Sequence, residues 1–212
     1  MDQELWTKEH NKYGDADWTH RPSLFAEEAI QHFPKSGQVL DLGAGHGQDS
    51  AYFISQGYDV VALDTSDAAI ATLEQVKNSL STDRLDVVQR DVIEGIPYAD
   101  GSFDVVFAQL SLHYFDNETT KEVFDELARV LKTGGILAFM VNTAKDPEYG
   151  QGQKLEDDYY VIEGKLKRFF TPESAAAFAD GFEAIISDDK GETYKDQAKG
   201  VHGLIRYIGK KV

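Results

Sequence analysis

The chain has 212 residues, of which 42% are apolar and 11% aromatic, enough for one cored domain with a modest insertion and too apolar for wholesale disorder. Its 21 basic and 37 acidic side chains leave a net charge of −16, which repels nucleic-acid backbones and anionic membranes, so neither is expected as a partner. Cysteine is absent, which excludes disulfides, thiol nucleophiles and Cys-ligated metals. With no apolar leader in MDQELWTKEH and no apolar run reaching the ~18 residues of a membrane span, the expectation is a cytoplasmic protein.

Residues 1–36 carry Trp6, Tyr13, Trp18, Phe25 and Phe33 and read as an N-terminal helical extension or lid. Residues 37–212 read as the main domain. In it, short apolar runs alternate with helical patterns. Val39 to Leu42 reads as a first strand, then a glycine cluster, then a helix QDSAYFISQG stopped at Gly57. A second strand runs over Asp59–Leu63 and ends at Asp64. Ser66 or Asp67 can cap the next helix, whose Ile70, Leu73, Val76 and Leu80 share one face. Leu85 to Val88 gives a third strand and Phe103 to Phe107 a fourth. Val123, Leu127, Val130 and Leu131 mark a helix stopped by Gly134-Gly135, ahead of a fifth strand, Ile136 to Val141. An insertion at about 143–170 follows, with YYVIEGKLKRFF as a hairpin turning at Glu163-Gly164. Phe182 to Ser187 and Val201 to Ile208 read as two strands with no helix between them, hence antiparallel at a sheet edge. Strands apolar on both faces and joined by helices predict an α/β, doubly wound, mostly parallel sheet.

The segment Val39-Leu40-Asp41-Leu42-Gly43-Ala44-Gly45-His46-Gly47 leaves a strand and opens a helix, where doubly wound sheets bind ligands. A dinucleotide fingerprint needs glycine three places after Gly45, but Gln48 stands there, and Asp41 sets a negative charge where a diphosphate would lie. No G-K-[ST] follows, so a P-loop is excluded. A cationic, phosphate-free cofactor with an ammonium group suits this loop better. Asp64, 21 residues after Gly43, can accept from ribose hydroxyls or cap a helix. Asp91-Val92 can frame an adenine edge or form a turn. Gln109 and His113-Tyr114 leave the fourth strand where a reacting group would sit. All four positions fall at the carboxyl ends of successive predicted strands, which separate structural roles would not require.

VLDLGAGHG, VVALDTS, RDVIEGIPYADGSFDVVFAQLSLHYF and LARVLKTGGILAFMVN, in this order, resemble the motifs of class I S-adenosylmethionine-dependent methyltransferases over about residues 37–142. The aromatic extension is more weakly similar to the tellurite-resistance and thiopurine branch, and RFFTPESAAAFA resembles a helix start found late in small-molecule members. The resemblance implies a Rossmann-like seven-stranded sheet with one antiparallel edge strand. It implies Asp41, Gly43, Ala44 and Gly45 at the methionine part of S-adenosylmethionine, Asp64 at the ribose, Thr65 by the adenine, Asp91 and Val92 at its polar edge, and Gln109 near the amino-acid end. No metal is implied. The segment AQLSLHYF lacks the Asn/Asp-Pro-Pro-aromatic signature, which argues against amino-methylation of DNA bases or protein glutamine.

The loop has no cation for the cofactor carboxylate, and Arg21 is the candidate. His113, with a pKa expected near neutral, is the candidate base, and Tyr114 would shape the acceptor pocket. The function expected is methyl transfer to an O, N or S atom of a small molecule, with S-adenosylhomocysteine as product. A non-catalytic S-adenosylmethionine binder and, less favoured, a dinucleotide oxidoreductase are the alternatives.

Overall fold

The computed structural model describes residues 3–14, 16–194 and 203–212. Seven strands form one sheet: β1 (Gln38–Leu42), β2 (Asp59–Asp64), β3 (Leu85–Gln89), β4 (Phe103–Gln109), β5 (Leu131–Val141), β9 (Phe182–Gly191) and β10 (Leu204–Lys211). Their order is β3-β2-β1-β4-β5-β10-β9. The pairs from β3 to β5 are parallel, and β10 runs antiparallel to both its neighbours. The reversed strand therefore sits one place in from the edge, which β9 occupies. Val201 and His202, expected at the start of β10, lie outside the described residues.

Alternation along the strands sorts side chains onto two faces. Leu40, Leu42, Val106, Leu137 and Phe139 pack against α5 (Asn117–Val130) and α6 (Pro172–Phe178). Val39, Val60, Val105, Phe107 and Ala138 pack against α2 (Leu24–Ala29), α3 (Gln48–Ser55) and α4 (Asp67–Leu80). The helix caps follow the sequence. Ser66 caps α4, Thr171 caps α6 in a capping box with Pro172 next, and Gly57 follows α3 with φ +98°. Leu80, expected on the apolar face of α4, is instead 40% exposed in the helix's last turn.

One boundary differs from expectation. Helix α5 ends at Val130, and strand β5 starts at Leu131, before the two glycines. Leu131 pairs with Phe103 and Ile136 with Val105, so residues 132–135 bulge out of the ladder opposite Asp104. Gly135 permits this, since a Cβ there would meet the Asp104 carbonyl at 3.0 Å. The glycines shape a bulge rather than stop a helix.

The insertion folds as a three-stranded antiparallel sheet of β6 (Gln153–Glu156), β7 (Tyr159–Ile162) and β8 (Lys165–Arg168). Its turn at Glu163-Gly164 has φ +50° and +79°, the sign a two-residue hairpin turn requires at both positions. Arg168 pins this sheet to the core: its backbone N–H donates to the His113 carbonyl (2.8 Å) and its Nε to the Phe115 carbonyl (3.0 Å). At the other end, α1 (Gln3–Lys12) has no buried residue and lies on α4 through polar contacts. Among the described residues, no helix is long and apolar enough to cross a membrane.

Candidate active site

Between β1 and β4 the strand order reverses, and a cleft of about 660 Å³ opens at their carboxyl ends. Its floor is the loop after β1. Gly43, Gly45 and Gly47 have φ of +71°, +53° and +75°, so the chain turns there in conformations that side chains disfavour. A Cβ on Gly43 would lie 2.4 Å from that of Ser111, whose hydroxyl donates to the Leu42 carbonyl (2.7 Å). A Cβ on Gly45 meets nothing closer than 3.9 Å, leaving that backbone open to a ligand.

Three carboxyls frame the loop. Asp41 is buried and accepts from the Ser50 hydroxyl (2.6 Å), tying β1 to α3. Burial, then the neighbouring Asp49, pushes its pKa up to about 8. Asp49, raised to about 6 by burial, accepts from the Ser23 N–H (2.7 Å) and hydroxyl (2.9 Å), joining the N-terminal extension to α3. Asp64 accepts from the N–H groups of Gly45 and Ser66, both at 2.9 Å, and burial raises it too. It thus ties the loop to the tip of β2 while lining the cleft.

Asp41, Gly43, Ala44, Gly45, Asp64, Thr65, Asp91, Val92, Gln109, His113 and Tyr114 all line this one cleft. Asp91 also caps the short helix Val92–Glu94, accepting from the Ile93 N–H (3.2 Å), so its structural alternative holds alongside. Leu110 follows β4 with φ +56°, a strained backbone at the cleft wall.

Two expectations need correction. Arg21 is absent from the cleft lining; its guanidinium lies 3.6 Å from the ring centre of Tyr194, which does line the cleft. His113 is not near neutral. It is 3% exposed, and burial followed by the charge of Lys167 pushes its pKa down to about 3.

Three of the N-terminal aromatics read as lid material reach the cleft, together with a histidine pair that the sequence did not signal. Trp6 from α1 meets the Tyr114 ring edge-on at 4.4 Å. His10 stacks on His46 at 3.8 Å with 11° between the planes. Trp6, Tyr13 and Trp18 turn into the cleft, whereas Phe25 and Phe33 join the core. Among the described residues, the buried side-chain atoms without a hydrogen-bond partner are Trp6 Nε1, His46 Nε2, Gln48 Oε1, Gln109 Oε1 and His113 Nδ1. All five belong to residues of this cleft. Buried polar groups are normally paired, so five orphans around one cavity mark a place where a polar ligand completes the structure.

Residues 40–139 match the model of a methyltransferase domain. That match covers a little under half of the chain. The chain is 35% identical over 122 residues to malonyl-[acyl-carrier protein] O-methyltransferase of Enterobacter lignolyticus, covering 57% of this chain and 45% of that one. It is 32% identical over 187 residues to sarcosine/dimethylglycine N-methyltransferase of Aphanothece halophytica, covering 86% and 61%. The chain therefore spans about half the length of the curated relatives it matches. The 1,6-didemethyltoxoflavin-N1-methyltransferase of Burkholderia thailandensis, solved with 1,6-didemethyltoxoflavin and S-adenosylhomocysteine, superposes with a TM-score of 0.74 over 99% of this chain and 84% of its own. Sequence identity is 21%, so that likeness is one of fold.

Proposed function

We propose that this chain binds S-adenosylmethionine in the cleft and directs its methyl group to an O, N or S atom of a small molecule. The observation that carries this reading is the convergence of open glycine backbone, carboxyls and five orphaned polar atoms on one cavity. A sulfonium cofactor supplies an activated methyl group when bound, so the chain's task is to hold and orient.

Asp41 and Asp49 suit an ammonium group, whose charge would hold both carboxyls ionised. The carboxylate of Asp64 has lone pairs beyond its two N–H bonds and suits ribose hydroxyls, with Thr65 and the Asp91-Val92 turn beside the adenine. Gln109 faces the amino-acid end. At the far end of the cleft stand Trp6, His113 and Tyr114, with Lys167 of β8 paired to Glu148. Their rings exclude water from an acceptor, and orientation of this kind is worth up to ~7–11 kcal/mol. Helix α1 closes the mouth. Glu9 pairs with Lys165 of the hairpin (2.7 Å), Gln3 Nε2 donates to Asp67 (2.8 Å), and His10 bonds Thr72 (3.0 Å). Within the extension of residues 1–36 we therefore assign α1 as the lid, while α2 packs into the core of the domain of residues 37–212.

A screen of small acceptors with methyl-labelled cofactor tests this. The expected result is label transfer with release of S-adenosylhomocysteine. Cofactor binding without transfer to any acceptor would leave a binding protein instead.

A further inference from the structure

The amino-acid tail of the cofactor carries a carboxylate as well as an ammonium group, yet the charged side chains at the glycine loop are Asp41, Asp49 and Asp64. The cations that line the cleft are engaged elsewhere. Arg90 donates to the Gly95 and Glu94 carbonyls, Lys165 pairs with Glu9, Lys167 pairs with Glu148, and Lys12 stands exposed over the Tyr13 ring. Arg21 faces Tyr194. What the loop does hold is His46, stacked on His10 of the lid, with Trp18 edge-on to it at 6.1 Å.

A hydrogen bond with the His10 backbone engages one His46 nitrogen, while Nε2 is buried and without a partner. A ring that donates from Nδ1 to a carbonyl carries, when neutral, a bare lone pair at Nε2. That nitrogen meets an anion only after gaining a proton. We propose that the stacked His46–His10 pair seats the carboxylate of the cofactor's amino-acid tail, and that His46 Nε2 takes a proton from solvent as that carboxylate arrives. The proposal rests on the cleft being an S-adenosylmethionine site.

The groups facing His46 agree. Burial and the neighbouring His10 and His20 side chains disfavour a charged ring, while the His10 backbone and Asp64 favour it. An arriving carboxylate reverses that balance. Because His10 belongs to α1, the same anion draws the lid onto the loop.

The test is a 13C-histidine NMR titration of the whole chain: free, with saturating S-adenosylhomocysteine, and with saturating 5′-methylthioadenosine, which keeps the nucleoside thioether and lacks the amino-acid tail. His46→Gln and His10→Gln assign the signals. The expected free midpoint for His46 is about 4. S-adenosylhomocysteine should raise it by roughly 1–3 pH units, and 5′-methylthioadenosine should leave it in place. His46→Gln should weaken S-adenosylhomocysteine about tenfold and 5′-methylthioadenosine less than about twofold. A bound homocysteine nucleoside with an unmoved His46, or an equal shift with both ligands, overturns the proposal and leaves the cofactor site standing. Failure of S-adenosylhomocysteine to bind at all overturns the cofactor reading beneath it.

Discussion

At position 113, burial decides what an imidazole can do. A ring held down to about pKa 3 is neutral throughout the physiological range and is a feeble proton acceptor. Its proposed task is to orient an acceptor and keep water from it, beside Trp6 and Tyr114. His113→Ala should therefore lower turnover at least about tenfold while S-adenosylhomocysteine affinity changes less than about twofold. The pH–rate profile of the native chain should show no inflection from His113 between about pH 5 and 9. An unchanged turnover would remove this residue from the chemistry.

Asp41 gives a stability prediction. Its folded pKa of about 8 lies above the ordinary 3.8, so the folded state holds the extra proton and stability falls as pH rises toward 8. The buried histidines act oppositely: His113 and His46 fall to about 3 and 4 from 6.5, so they destabilise only as pH drops below 6.5. Asp49 has largely titrated by pH 7. Between about pH 6.5 and 8, melting of the cofactor-free chain should thus weaken with rising pH, and Asp41→Asn should flatten the slope. Asp41 was legible because it precedes the glycine cluster on a strand. The His46–His10 and Trp6–Tyr114 pairings were not, since the partners are distant in the chain and meet only in the fold.

Among the elements, the glycine loop and α1 make opposite demands. The loop is rigid by necessity: Gly43→Ala sets a methyl 2.4 Å from the Ser111 Cβ in a left-handed conformation, and should cost about 1–3 kcal/mol of stability together with most cofactor affinity. Denaturant unfolding beside calorimetric binding measures both. Helix α1 has no fully buried residue and is held by polar side chains and the Trp6 and His10 ring contacts, so its amides should exchange faster than those of α3 to α5. They should slow when S-adenosylhomocysteine binds, and unchanged exchange across residues 3–12 would argue against a lid. The same contrast explains which elements could be read. Strands β1 to β4 and helix α4 announce themselves by apolar period and caps. The start of β5 does not, because Leu131 continues the α5 pattern while pairing with Phe103. Strand β6, QKLE, is exposed along its length, and its single apolar residue, Leu155, sets no period to find.

Across the whole molecule, alternating strands and helices were enough for a doubly wound sheet, and the helix-free tail for an antiparallel end. The placement of β10 inside β9 was not legible, because sequence order does not state which of two tail strands meets β5. The cleft at the β1–β4 reversal follows from that topology and draws together carboxyls from β1, β2 and the loop after β3. This convergence is the central claim, and a crystal structure of the chain grown with S-adenosylhomocysteine tests it most directly. Ligand density is expected on the open Gly45 backbone, with the ribose against Asp64. An empty or blocked cleft, with the ligand elsewhere or absent, would contradict it.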